Sequence, residues 1–168
     1  MDKFHYVKLT LMLQKIKLKR MTEEDSDAAE RGDVDFLKER LRTSGIDFLR
    51  SQDPNGQNIL HKLMNITDDL VEEEENRFSD FVGQVLSSFP ALLGEADVNG
   101  DTPIHILMRT DLESSKLRLL ELCNNFISEM KEEARINGVQ YRSLWIMQNA
   151  DGNTPLHEAL IRNHQYNL

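Results

Sequence analysis

Three segments of this chain carry nearly the same residues in the same order. Residues 53–61, 97–105 and 149–157 each contain an Asn-Gly or Asp-Gly pair, then two polar residues, two nonpolar residues and a histidine. Repetition of this kind is typical of proteins in which every unit buries its apolar face against its neighbours. The sequence therefore predicts a repeat architecture.

Each copy opens with a turn. Asn-Gly and Asp-Gly tolerate positive φ at both central positions of a type I′ turn, so we predict a short hairpin-like loop in every copy. We call these the glycine loops: residues 53–57 with Gly56, residues 97–101 with Gly100 and residues 149–153 with Gly152.

A helix is predicted to follow each glycine loop at once. Thr102 and Thr154 can cap it through their hydroxyl groups, and Asn58 can do so in the first copy. Pro103 and Pro155 stand at the first helical position, where a missing N–H costs nothing. The three helix starts are therefore set by the same local chemistry.

Residues 102–105 and 154–157, each preceded by a turn glycine, resemble the Thr-Pro-Leu-His signature of ankyrin repeats. A fourth, degenerate copy resembles the family through Ala28-Ala29, Gly32 and Gly45. The resemblance covers residues 21–168. It implies an all-α ankyrin-repeat solenoid of three to four irregular helix-turn-helix repeats with short hairpin fingers, the last repeat being truncated.

The spacing of the copies is uneven. Gly56 and Gly100 are 44 residues apart, and Gly100 and Gly152 are 52 apart. An ankyrin unit has about 33 residues, so we predict insertions near 68–76 and 127–141 that form loops on one face.

Residues 85–93, 144–148 and 152–164 resemble plant ankyrin-repeat membrane proteins of the accelerated-cell-death type. That resemblance implies plant signalling or defence, with the repeats on the cytosolic face of the plasma membrane in full-length relatives. Relatives carry further repeats and a hydrophobic C-terminal domain. We interpret the chain as incomplete, since its last repeat has room for one helix only.

Charge divides the chain in two. Residues 1–20 hold six Lys and Arg against one acid, although the net charge is −9 over 168 residues. We predict a basic N-terminal extension or cap here, with a membrane-surface or targeting helix as the alternative. The acidic remainder disfavours nucleic acid, and no apolar run approaches the ~20 residues that span a bilayer.

Residues that could carry chemistry are few. Cys123 lies in an apolar helical stretch, which predicts an inert core thiol in a reducing, cytoplasmic compartment. Trp145 is interpreted as packing, with a partner-facing hot spot as the alternative. No catalytic motif is recognisable, so we predict a protein that is not an enzyme and has no cofactor.

His61, His105 and His157 recur at the repeat spacing and raise the possibility of a zinc ladder. Packed helices lie ~8–10 Å apart, whereas zinc needs each nitrogen at ~2.1 Å, so the structural role is favoured over metal binding. In ankyrin repeats this histidine bonds the backbone of neighbouring turns. A calcium loop beginning at Asp97 fails because Met108 stands where a bidentate Glu is required.

We therefore predict a protein–protein interaction module, a scaffold or adaptor. The alternatives are the N-terminal cytosolic regulatory part of a membrane channel-like or transport protein, and a targeting segment of an enzyme whose catalytic domain lies beyond this chain. The candidate contact residues, expected to face solvent, are Asn55, Gln57, Lys62, Asn99, Asp101, Arg109, Asp151, Asn153 and Glu158. The structural signature comprises Gly56, His61, Gly100, Thr102, Pro103, His105, Gly152, Thr154, Pro155 and His157.

Overall fold

In the computed structural model the described residues are 20–66, 70–110 and 114–165. Within these ranges the chain is all-helical, as predicted, and isolated bridges at Arg20, Gln52 and Asn58 stand in place of strands. The predicted N-terminal extension lies outside the described residues, apart from Arg20. The helices are α1 (Glu23–Glu30), α2 (Val34–Ser44), α3 (Ile46–Leu49), α4 (Ile59–Met64), α5 (Glu72–Ser88), α6 (Pro103–Arg109), α7 (Ser114–Ile136) and α8 (Pro155–Gln165), with 3-10 turns at Pro90–Gly94 and Leu144–Ile146.

The helices pack in two rows. In the inner row α1 contacts α4, α4 contacts α6, and α6 contacts α8. In the outer row α2 contacts α5 and α5 contacts α7. Each inner helix except α8 also packs against the outer helix that follows it in sequence. The fold is therefore a stack of helix pairs with a glycine loop before each of the last three inner helices.

The first helix pair has clear local causes. Thr22 accepts a hydrogen bond from the N–H of Asp25, whose carboxylate accepts one from the N–H of Thr22, so α1 begins with a capping box. Asp33 caps α2 by accepting from the N–H of Phe36. α2 ends at Gly45, whose φ of 63° suits glycine.

The segments predicted as loop insertions are helical over residues 72–76 and 127–136, while residues 68 and 69 lie outside the described residues. Glu72–Glu75 form the first turn of α5, where four carboxylates face the positive end of the helix dipole. α7 runs unbroken to Ile136, so most of the segment at 127–141 lengthens that helix by extra turns. The added residues extend the outer row and leave the inner row short.

One apolar core runs through the described part of the chain. All six residues of α4 are buried, because that helix is covered by α1, α5 and α6. Phe78 and Phe81 of α5 and Cys123 of α7 join the same cluster. Cys123 is fully buried, which confirms the prediction of a core thiol, and burial raises the pKa of that thiol to about 12.

The last inner helix differs from the others. Leu156 and Leu160 of α8 are 57% and 62% exposed, and Ile161 is 45% exposed. α8 thus has a packed side against α6 and an open apolar side.

Across the described ranges, no helix is both long and apolar enough to cross a membrane.

Candidate functional site

The three glycine loops have one internal geometry. Asp53 Oδ1 accepts the N–H groups of Asn55 and Gln57 at 2.8 and 2.9 Å. Asp97 and Asn149 make the same pair of bonds, each to the residues two and four positions further on. The first side chain of each loop therefore replaces the missing partners of two backbone donors, a role that asparagine and aspartate commonly take in turns.

The predicted type I′ turns are wrong. Positive φ occurs in the described residues only at glycines, among them Gly56 (77°), Gly100 (76°) and Gly152 (79°). Each glycine follows a turn closed by its own N–H, and the first and fifth loop residues then pair through their backbones. This is the three-residue hairpin with a glycine bulge, in which the preceding Asn or Asp keeps negative φ.

Adjacent loops are joined backbone to backbone. Val98 N–H donates to the oxygen of Asn55 at 2.9 Å, and Ala150 N–H donates to the oxygen of Asn99 at 2.8 Å. At the second junction the loops are very close. A Cβ on Gly100 would lie 2.9 Å from the nitrogen of Ala150, so only glycine fits there.

Two of the repeated histidines tie an inner helix to the next glycine loop. His61 Nε2–H donates to the backbone oxygen of Asp101 at 2.9 Å, and His105 Nε2–H donates to that of Asn153 at 3.1 Å. His157 occupies the same position, but within the described ranges no carbonyl reaches its Nε2. Its ring is exposed.

These contacts define the protonation state of His61. A carbonyl can only accept, so Nε2 carries the proton, and Nδ1 is free to accept the N–H of Asn58 at 3.1 Å. Burial lowers the pKa of His61, whereas the Asp101 backbone and the charges of Asp97, Glu95 and Asp101 act in the opposite direction. The neutral ring is therefore the form that suits its site.

The histidines also change how the helices are capped. Thr102 and Thr154 were predicted to cap through their hydroxyl groups, but those hydroxyls lie 2.8 and 2.9 Å from Nδ1 of His105 and His157. The same ring nitrogens accept the threonine N–H groups at 3.1 Å. Asn58 does cap directly, accepting from the N–H groups of Leu60 and His61.

Charged side chains form a second set of connections between units. Lys62 lies 3.0 Å from a carboxylate oxygen of Asp53 and 3.3 Å from one of Glu30. Arg109 lies 2.9 Å from Asp101 and 3.0 Å from Glu158.

Burial alone would lower the pKa of Arg109, but its hydrogen bonds to Glu158 and Asp101 raise it above the usual value. Burial alone would raise the pKa of Glu158, and Arg109 lowers it instead. Asn149 Nδ2 donates to both carboxylates, at 2.8 Å to Asp101 and 2.9 Å to Glu158. One guanidinium therefore serves two carboxylates, and the Asn149 amide supplies each of them with a further donor.

The predicted contact residues fall into two groups: some are exposed or half-buried at the loops, and others are partners within this charged network. Asn55, Asn99 and Asp151 are exposed at the tips of the three loops, and Gln57 and Asn153 are half-buried. Lys62, Asp101 and Glu158 are buried, contrary to prediction, because each is an internal partner of another unit. Arg109 keeps 43% of its side chain exposed while bridging two of those carboxylates.

Sequence reasoning missed the first residue of each loop as a structural position. Asp53, Asp97 and Asn149 had a visible signal, since an Asp or Asn opens all three copies. Among the described residues, no group of three or more His, Cys, Asp or Glu side chains is arranged to hold a metal ion.

Comparison with known proteins adds little. No family model matches the chain, and no curated protein does. It is similar to a solved structure described as the Bd0816 predatory endopeptidase from Bdellovibrio bacteriovorus in complex with immunity protein Bd3460. The similarity spans 95% of this chain and 86% of that chain, at 17% identity and a TM-score of 0.36.

Proposed function

We propose that the chain is an ankyrin-type repeat protein that works as a protein-binding module. The observation that carries this proposal is the threefold loop–helix unit, with loops joined by backbone hydrogen bonds and histidines bonded to the next loop. Asn55, Asn99 and Asp151 occupy equivalent exposed positions at the loop tips, and no hydrogen bond within the described residues uses their side chains. Stacked repeats typically present such a surface to another protein.

Several features support binding over catalysis. The thiol of Cys123 is buried, and the Nε2 atoms of His61 and His105 are engaged in bonds to the backbone. The resemblance to plant ankyrin-repeat proteins supports a role as a scaffold or adaptor in signalling or defence. A cytoplasmic location fits the unpaired cysteine.

The test uses two charge-matched triple variants. One replaces the loop tips, with Asn55→Arg, Asn99→Arg and Asp151→Arg. The control replaces exposed outer-row residues, with Gln84→Arg, Glu121→Arg and Asn125→Arg. Both add the same positive charge, and neither touches the core.

Affinity capture with the purified chain identifies candidate partners, and titration of each purified candidate measures its Kd. We expect the loop-tip variant to weaken binding at least tenfold and the outer-row variant to leave it unchanged. A partner bound equally by all three proteins contradicts the loop surface. Circular dichroism of the variants verifies that the fold is retained.

A further inference from the structure

A groove separates the C-terminal half of α7 from the segment 140–146 that leads to the third glycine loop. Its volume is about 840 Å³, within the usual range for binding pockets. Ile127 of α7 and Tyr141, Trp145 and Ile146 of the segment supply the apolar part of its lining. Ile146 is 60% exposed, which is unusual for a large apolar residue in a packed turn.

The charge of this groove is opposite to that of the protein. Lys131 and Arg142 line it, and no Asp or Glu does, although the chain carries −9 in total. Both cations are exposed. Within the described residues neither forms an ion pair or a hydrogen bond, in contrast to Lys62 and Arg109. They are therefore not required by the fold as the buried cations are.

We propose that this groove binds an acidic peptide segment of a partner protein, one that also carries a large apolar side chain. The apolar side chain would pack against Trp145 and Ile146, and carboxylates would pair with Lys131 and Arg142. A purely ionic ligand would leave the apolar wall unused. Nucleic acid and anionic membrane surfaces both require more clustered cations than the two that line this groove.

This proposal rests on the proposed function only in taking the ligand to be a protein. None of the three loop tips lines the groove, so the two surfaces can be tested separately. The loop-tip variant tests whether the loop tips bind a partner protein. Titration with a peptide tests whether the groove binds an acidic segment.

Trp145 is the single tryptophan of the chain and lines the groove, so its fluorescence reports on occupancy. The probe is a blocked hexapeptide, Glu-Glu-Leu-Phe-Glu-Glu, titrated into the full chain. We expect a saturable change in emission with a Kd below about 1 mM. The double variant Lys131→Gln and Arg142→Gln should weaken binding about twofold to thirtyfold, as the loss of two exposed ion pairs predicts.

Matched controls define the outcome. Lys116→Gln, the same change elsewhere on α7, should leave the Kd unchanged, and the peptide Gln-Gln-Leu-Phe-Gln-Gln should bind at least fivefold more weakly. The proposal is overturned if emission does not change up to 2 mM peptide (roughly twice the limiting Kd), or if the double variant binds as well as the parent. Displacement of the peptide by phosphatidylserine vesicles would assign the groove to a membrane and likewise overturn it.

Discussion

The Nε2 nitrogen of His61 lies 2.9 Å from the backbone oxygen of Asp101, forty residues further along the chain. This bond joins the first helix of one unit to the glycine loop of the next. Because His61 is 1% exposed, removing its ring leaves these backbone groups buried without their partner.

His61→Ala should therefore be strongly destabilising. It leaves the N–H of Asn58 without its Nδ1 acceptor and the Asp101 oxygen without its donor, at a cost of roughly 2 to 4 kcal/mol in the free energy of unfolding. His157→Ala is the matched control, since its exposed ring bonds only its own cap, and should cost less than about 1 kcal/mol. Urea titration of both variants decides this, and equal losses would contradict a bridging role.

Stability should depend on pH through His61. Its pKa is lowered in the folded state, so below the unfolded value near 6.5 the unfolded chain binds more protons than the folded one. The contribution of His61 to the free energy of unfolding is complete above about pH 6.5. It declines as the pH falls below that value, by up to about 1.4 kcal/mol per pH unit. Urea titrations at pH 7.5, 6.5 and 5.5 should show this slope, and His61→Gln should reduce it.

The pKa values of Asp25, Asp53 and Glu158 are also lowered, and these groups change the stability at more acidic pH than His61 does. Their stabilisation is complete above their unfolded pKa values near 4 and is lost as the pH falls through the folded values. A decline confined to that region, with none between pH 6.5 and 5.5, would mean that His61 does not titrate as we expect.

Gly100, Gly138 and Gly152 all have positive φ, but of the three only Gly100 lies close to another part of the backbone. Comparing alanine substitutions at these positions therefore distinguishes the cost of backbone strain from the cost of close contact. Gly100→Ala places a Cβ against the backbone of Asn149 and Ala150, whereas Gly138→Ala and Gly152→Ala meet nothing within 4 Å. All three changes carry the strain of a left-handed backbone, about 1 to 2 kcal/mol. We expect Gly100→Ala to cost at least about 1 kcal/mol more than the other two. Thermal and urea midpoints provide the comparison, and a common loss would disprove close packing of the loops.

Arg109→Met should leave Asp101 and Glu158 as buried carboxylates without their cation. The expected loss is about 2 kcal/mol, less than for a fully buried ion pair, because Arg109 keeps 43% of its side chain exposed and Asn149 still donates to both carboxylates. Arg135→Met breaks an exposed pair with Glu132 and should leave the urea midpoint nearly unchanged. Similar urea midpoints for the two variants would show that the Arg109 cluster contributes no more than a surface pair.

α8 should exchange its amide hydrogens faster than α4. It has one packed side and an open apolar side, whereas α4 is enclosed on all sides. Hydrogen exchange with mass spectrometry resolves the two segments. Protection of residues 156–162 equal to that of residues 59–64 would indicate that the open side is covered in solution.

Local chemistry was predictable from this sequence, and distant pairing was not. Asn58, Pro103 and Pro155 predicted the helix starts, because capping acts within one turn. The burial of Lys62 and Glu158 depends on Glu30 and Arg109, which lie tens of residues away and carry no sequence signal of the pairing. The acidic run of α5 was misjudged because carboxylates at a helix start look the same in sequence as a solvated loop.

The outer helices α2, α5 and α7 have 11, 17 and 23 residues, while the inner helices α4 and α6 have six and seven. Backbone and histidine bonds fix one unit against the next in the glycine loops and inner helices, whereas the outer helices are joined by side chains near their starts, Arg77 to Asp35 and Arg118 to Asn76. Turns added beyond these contacts leave the junctions in place. An added turn on the outer side leaves the repeat register unaltered. The Asn137-Gly138 turn, where a Cβ would meet open space, is accordingly the position for inserting a fluorescent reporter or a second domain without disturbing the stack.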